Sequence, residues 1–181
     1  MSDTARTPFE VLADYEQKSL AHTPGTPEQI DAAGLWRGVA FRIGDRRLAS
    51  MFGEVIEIIT LPVTTPVPGG QAWLLGVANI RGTLLPVVDL KLFMEGERTV
   101  LHETQRALVI RQPGGNVAVL IDELLGQRHF NDDHRCEPGD LTAGRYNDFV
   151  TQAYHLNGVT YGVFNMAVLA RATEFRQAAA A

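Results

Sequence analysis

The residues best suited to chemistry cluster between His129 and Cys136. This stretch reads His-Phe-Asn-Asp-Asp-His-Arg-Cys, so it brings imidazole, carboxylate and thiol groups close together in sequence. Such groups bind transition metals, and a thiol beside a histidine can also act as a nucleophile. Their spacing matches no established metal site, and Pro138-Gly139 follows, which favours a solvated polar loop. A small metal- or cysteine-dependent enzyme centred here is the alternative function, and we expect no bound metal or cofactor.

The rest of the chain has no recognised catalytic signature. It contains no glycine-rich dinucleotide motif, phosphate-binding loop, zinc-protease helix motif or nucleophile elbow. Aspartates that could work in pairs, such as Asp45, Asp89 and Asp122, stand where turns and helix caps are predicted. We therefore predict that the protein is not an enzyme.

Composition restricts the classes of partner. The chain has 181 residues, of which 45% are hydrophobic and 20% charged, and its net charge is −5. Nucleic-acid binding needs a basic face, and no basic run occurs, so we expect no nucleic-acid partner. No apolar stretch is long enough to cross a bilayer, and the first ten residues lack a signal-peptide core. With a single cysteine, this predicts a cytoplasmic protein without direct membrane insertion.

The N-terminal region predicts a helix and a linker. Thr7 and Glu10 have the spacing of a capping box, Pro8 suits the first helical turn, and apolar residues follow at helical spacing. Residues 23–34 are polar and contain two prolines, which is typical of a linker. We therefore predict an N-terminal helical extension and linker over residues 1–34.

Beyond the linker, the hydrophobic period changes from that of a helix to that of a strand. Two stretches, beginning at Gly82 and Gly158, share one order of signals: glycine turn, apolar strand, Asp or Asn cap, short helix. A small five-stranded unit used twice accounts for this repeat, and a closed barrel removes exposed strand edges. We predict a mainly all-β domain over residues 35–176. One antiparallel barrel should span about 35–94, and a second about 105–165 before a C-terminal helix.

The third predicted strand offers a candidate contact surface. Alternation places Val55, Glu57 and Ile59 on one side. It places Ile56 and Ile58 on the other. Because a barrel has one interior, one set faces outward, where it forms either a partner patch or a face covered by the other barrel.

Arg81 is the second candidate. It lies in the tight turn Ile80-Arg81-Gly82 between two apolar strands. Its guanidinium can remain solvated there, or it can reach a carboxylate or backbone carbonyl of a partner.

The stretch around Arg81 resembles the central signature of the CheW-type chemotaxis coupling proteins. GVANIRGTLLPVVDLKLFM, residues 76–94, follows the family's order of glycine, asparagine, Arg-Gly, apolar strand, proline and aspartate. The upstream FRIGDRRLASMFGEVIEII is similar to the family's first three strands, and NVAVLIDELLG to the strand that opens its second half. The similarity covers roughly residues 36–175.

The resemblance implies two SH3-like five-stranded barrels and a non-catalytic signal-transduction adaptor. Such adaptors link the cytoplasmic hairpin tip of a chemoreceptor to the regulatory domain of a CheA-type histidine kinase, within membrane-associated receptor arrays. The receptor helices lie in an apolar groove between the barrels, and the kinase contacts an end of the first barrel. By motif position, the implied receptor-contact residues are Val55, Glu57, Asn79 and Arg81. PFEVLADYEQKSLAH further resembles CheW-like adaptors of type IV pilus twitching control.

Overall fold

Contacts divide the chain into two compact units, residues 1–31 and residues 32–181. The computed structural model describes residues 8–21 and 34–178. In the first unit, helix α1 spans Pro8–Ala21, which confirms the helix predicted there. The predicted cap at Thr7 and the linker over residues 23–33 lie outside the described residues. No helix among the described residues is both long and apolar enough to cross a membrane.

Short strands are the main regular elements of residues 34–178, and short helices follow two of them. The strands are β1 (Leu35–Ile43), β2 (Arg46–Met51), β3 (Val55–Thr60), β4 (Leu74–Ile80), β5 (Thr83–Asp89), β6 (Arg106–Gln112), β7 (Gly115–Leu120), β8 (Glu123–Asn131), β9 (Arg135–Cys136), β10 (Val150–Leu156) and β11 (Val159–Phe164). The helices are α2 (Leu90–Glu95), α3 (Met166–Arg171) and α4 (Thr173–Arg176). This composition confirms the predicted mainly-β fold class.

The strands form two sheets. One has six strands in the order β8-β1-β2-β11-β10-β9, and the other has five in the order β3-β6-β7-β5-β4. Most neighbours are antiparallel, but β11 runs parallel to β2, and β5 runs parallel to β7. The sixth strand of the larger sheet, β9, contains only two residues. Apart from β9, both sheets therefore have the same arrangement of strands.

The chain is divided between the sheets differently from our prediction. We predicted one barrel over residues 35–94 and a second over 105–165, but β3, β4 and β5 join β6 and β7. In turn, β1 and β2 pair with β8 and β11. Each half of the repeat thus gives its first hairpin to one sheet and its remaining strands to the other. Local alternation identifies strands and tight turns, but it has no signal for this parallel pairing between hairpins distant in sequence.

The largest apolar core lies between the two sheets. Phe41 of β1 and Leu108 of β6 belong to this shared layer. Their neighbours Ala40 and Ala107 point to the opposite faces of their strands, where each sheet has a smaller core of its own. The shared layer covers much of the apolar surface of both sheets, but Ile56 and Ile58 of β3, whose face the sequence analysis left open, remain exposed. Burial of this layer is the main stabilising contribution to the fold.

Asp89 fixes the connection that leaves β5. Its side chain is buried, and its Oδ1 accepts the backbone N–H of Leu92 at 3.1 Å, which caps α2 as predicted. The same carboxylate accepts the backbone N–H and the hydroxyl of Thr99 at 3.0 and 2.8 Å. One buried side chain therefore holds both the start of α2 and the segment that follows it.

We predict that Asp89→Ala lowers the free energy of unfolding by about 3 kcal/mol, because it removes a helix cap and leaves buried donors of Thr99 without an acceptor. Urea unfolding followed by circular dichroism measures this loss. The control is Asp45→Ala, at the exposed β1–β2 turn, which should change stability by less than about 0.5 kcal/mol. Equal unfolding midpoints for the two variants would contradict this role of Asp89.

Candidate partner-binding site

Arg81 lies at the tip of the β4–β5 hairpin in a left-handed backbone conformation. Its φ is 52°, and that of Gly82 is 84°, as expected for a two-residue hairpin turn with positive φ at both positions. The Asn79 side chain supports this turn, because its Oδ1 accepts the backbone N–H of Gly82 at 2.8 Å. This conformation costs a residue with a Cβ atom about 1 kcal/mol more than it costs glycine. The strain suggests that the guanidinium has a function at this place.

The hairpin that carries Arg81 is anchored at its other end by a close backbone approach. Thr65 and Val77 exchange backbone hydrogen bonds of 2.8 and 2.9 Å, so the loop before β4 covers the open edge of that strand. At Gly76, where φ is 143°, a Cβ atom would lie 2.2 Å from the carbonyl oxygen of Thr65. Gly76, the first glycine of the central signature, is therefore needed for β4 to approach the backbone of Thr65 this closely.

An ion pair joins β3 to the turn between β4 and β5. Nη2 of Arg81 lies 2.6 Å from Oε1 of Glu57 on β3. The Arg81 side chain is 79% exposed and that of Glu57 is 29% exposed, so the pair contributes at most about 1 kcal/mol to stability. Its main consequence is geometric, because it orients a guanidinium whose remaining N–H groups face solvent. The structure thus brings together Glu57, Asn79 and Arg81.

Val55, the fourth predicted contact residue, is placed differently. It pairs with Ile110, whereas Glu57 pairs with Val109, so one extra residue forms a bulge in β3. Val55 is half-buried and packs against the shared layer between the sheets. Ile59 packs against the separate core of the five-stranded sheet. The bulge changes the direction in which the side chains after it point. Val55 and Ile59 therefore contact different cores, although simple alternation placed them on the same side of the strand.

The outward side of β3 borders an open groove. The groove has a volume of about 380 Å³ and lies between β3 and the end of β6 on one wall and α3 on the other. Its apolar lining residues are Ile56, Ile110, Pro113, Met166, Ala167 and Ala170. Since α3 continues from the six-stranded sheet, the groove lies at the margin between the two sheets. The sequence analysis left open which side of β3 faces outward and took Val55 and Glu57, not Ile56, as contact residues. It also had no signal for the wall supplied by α3.

Glu54 is the acidic residue of the groove. Its Oε2 accepts the backbone N–H of Met166 at 3.3 Å. Burial raises the pKa of the Glu54 carboxyl above its ordinary value of 4.5, although the backbone N–H groups act in the opposite direction. The carboxylate therefore points at the start of α3, and its ionisation is made less favourable by its surroundings.

The segment from His129 to Cys136 is not the continuous polar loop that we predicted. His129 lies in β8 opposite Arg37, and Cys136 lies in β9. Asp132 accepts a hydrogen bond from the Tyr154 hydroxyl at 2.9 Å, so its carboxylate supports the six-stranded sheet. In the part of the chain that the structure describes, no three His, Cys, Asp or Glu side chains are grouped to hold a metal ion. The polar outward residues of β8 concealed the strand from the alternation analysis.

Comparison with known proteins identifies the same family throughout the domain. Residues 37–174 match the CheW-like domain family. The chain is 35% identical over 155 residues to Protein PilI of Pseudomonas aeruginosa, covering 86% of each chain. It is 42% identical over 67 residues to the chemotaxis protein CheW of Rhizobium meliloti, covering 35% of this chain and 43% of that protein.

A solved structure confirms the fold. The scaffolding protein TtCheW from Thermoanaerobacter tengcongensis superposes with a TM-score of 0.66 at 17% identity. The superposition covers 76% of this chain and 94% of that one. It confirms the predicted architecture of two SH3-like barrels.

We predict that Glu54→Gln raises the stability of the protein more at pH 7 than at pH 4. The pKa of Glu54 is higher in the folded protein than in the unfolded chain, so its protonated carboxyl favours folding. This contribution to stability is fully present below the ordinary value of 4.5 and is lost as the pH rises through the pKa of the folded protein. Glutamine keeps an acceptor for the Met166 N–H but does not ionise. Urea midpoints at both pH values test this, with Glu103→Gln, an exposed carboxyl, as the control. A stability difference from wild type that is the same at both pH values would refute the prediction.

Proposed function

Because the chain belongs to the CheW-like domain family, we propose that it is a non-catalytic adaptor that couples a chemoreceptor hairpin tip to a CheA-type histidine kinase. The similarity to PilI over most of both chains, together with the N-terminal resemblance to adaptors of the pilus system, favours type IV pilus twitching control. The adaptor would then be recruited to membrane-associated receptor arrays.

The observation that carries this proposal is the apolar groove between β3 and α3. The space between the two sheets is filled by the side chains of the shared layer, but this margin stays open. Ile56 is 46% exposed there, although it is a large β-branched residue on a strand. A helix binds such a groove through apolar residues spaced along one face, so a receptor helix is a suitable occupant.

The ion pair between Glu57, which follows the groove residue Ile56 on β3, and Arg81 supplies the polar part of the proposed contact. Glu57 and Arg81 are exposed enough to reach a partner, and their mutual contact limits the directions in which the guanidinium can point. We assign contact roles to these two residues. We assign positioning roles to Val55, which seats β3 against the core, and to Asn79, which holds the turn.

Coupling requires a second surface for the kinase. The family resemblance implies that the kinase's regulatory domain has the same double-barrel fold and contacts one end of a barrel. A surface separate from the groove would let one chain bind both partners at once. The receptor can then bias the kinase only if the kinase has at least two states with different affinities for the receptor–adaptor complex.

We predict that Ile56→Asp weakens binding to a chemoreceptor cytoplasmic fragment by at least tenfold, because it places a charge on the apolar wall of the groove. Co-sedimentation with the fragment, at a series of concentrations, measures this loss. Ile58→Asp is the matched control, since Ile58 is 39% exposed on the same strand but does not line the groove.

The two variants and the wild-type protein together distinguish an error in the binding site from an error in the function. Equal effects of both substitutions would show that the groove is not the binding site. No co-sedimentation of the wild-type protein with any fragment from its own receptors would contradict the adaptor function.

We predict that Arg81→Gly and Arg81→Ala both reduce receptor-dependent kinase activity while leaving the fold intact. Glycine removes the guanidinium and also the strain of the left-handed turn, whereas alanine removes the guanidinium and keeps the strain. Arg81→Gly should therefore unfold at a temperature equal to or above that of wild type, and Arg81→Ala should not exceed it. Normal kinase coupling in Arg81→Gly would show that the guanidinium has no role.

A further inference from the structure

The groove carries two arginines that have no partner within the described chain. Arg111 lies near the end of β6 and Arg171 at the end of α3. Both line the groove, so each of its two walls carries one arginine. Both side chains are exposed, and neither forms an ion pair or hydrogen bond with the described residues. Several other basic residues are paired, for example Arg42 with Glu123 and Arg46 with Glu95.

These two arginines are positively charged, whereas the whole chain carries a net negative charge. The net charge is −5, yet the two rims of the groove are cationic. Glu54, the acidic residue of the lining, directs its carboxylate at the backbone N–H of Met166 rather than at either arginine. The groove therefore combines an apolar floor with a positive charge on each side, and this distribution attracts and orients a partner of complementary charge.

We propose that this groove selects a helix whose apolar stripe is flanked on both sides by carboxylates, which Arg111 and Arg171 bind. The inference rests on the proposed function in taking the occupant to be a receptor helix, and it adds the charge that this helix must carry. Guanidinium groups favour carboxylates because two parallel N–H groups match two carboxylate oxygens. A helix with basic flanks would meet two like charges and bind more weakly.

Two designed helical peptides test the charge preference without any receptor. Both carry the same leucine stripe; one has glutamates at the flanking positions and the other has lysines. Binding is measured by fluorescence anisotropy at low and high salt, and contact with the groove is verified by NMR shifts of Ile56 and Ala167. We expect the glutamate peptide to bind about tenfold more tightly at low salt, with the difference shrinking at high salt.

The matched variants are Arg111→Glu/Arg171→Glu and Arg98→Glu. Arg98 is exposed and lines no part of the groove. The double reversal should invert the preference, whereas Arg98→Glu should keep it. The neutral pair Arg111→Gln/Arg171→Gln, which should abolish the preference, replaces the double reversal if that variant does not fold. Equal affinities for the two peptides, or an inverted preference in Arg98→Glu, would overturn the inference.

Receptor co-sedimentation, run in parallel, separates this inference from the proposed function. If wild-type protein and the double reversal bind receptor fragments equally well, the adaptor function stands and the charge preference is wrong. If the glutamate peptide binds the groove but no receptor fragment does, the charge preference stands and the receptor assignment is wrong.

Discussion

Burial of the apolar layer shared by the two sheets is the interaction on which the rest of the structure depends. Alternate residues of the same strands supply this layer and the smaller cores on the opposite faces, as Phe41 and Ala40 show. Three of the six residues in the outer core of the five-stranded sheet are alanines, whereas the outer core of the six-stranded sheet contains the large aromatic residues Phe130, Tyr154 and Tyr161. The groove beside β3 exists because the packing of the shared layer stops at its margin, where α3 begins.

The site combines features with different physical purposes. Asp89, Gly76 and Asn79 hold backbone in place through a cap, a close approach and a turn. Arg81 and Ile56 instead lower the stability of the isolated chain, because a strained turn and an exposed apolar side chain both cost free energy. Structural residues of the family signature therefore surround a small number of residues that the fold alone does not require.

Much of this arrangement could be predicted from local sequence. Hairpin turns, the strands around them and two helix caps follow from glycine, asparagine and alternation signals, and the structure confirms them. The caps are Asp89 before α2 and Asn165, in the stretch that begins at Gly158, before α3. Three features could not be predicted. The bulge in β3 has no local marker, the polar side chains of β8 conceal a strand, and the exchange of strands between sheets depends on pairing between distant segments. For the same reason the wall formed by α3 was not foreseen, since it meets β3 only in the folded state.

The exchange of strands also makes the two barrels inseparable. A chain cut between α2 and β6 would yield two fragments, each with a hairpin whose parallel neighbour lies on the other fragment. Neither fragment could complete a barrel, but together they hold every strand of both. The domain is thus a natural candidate for fragment complementation, in which two inert pieces regain a binding surface only on reassociation.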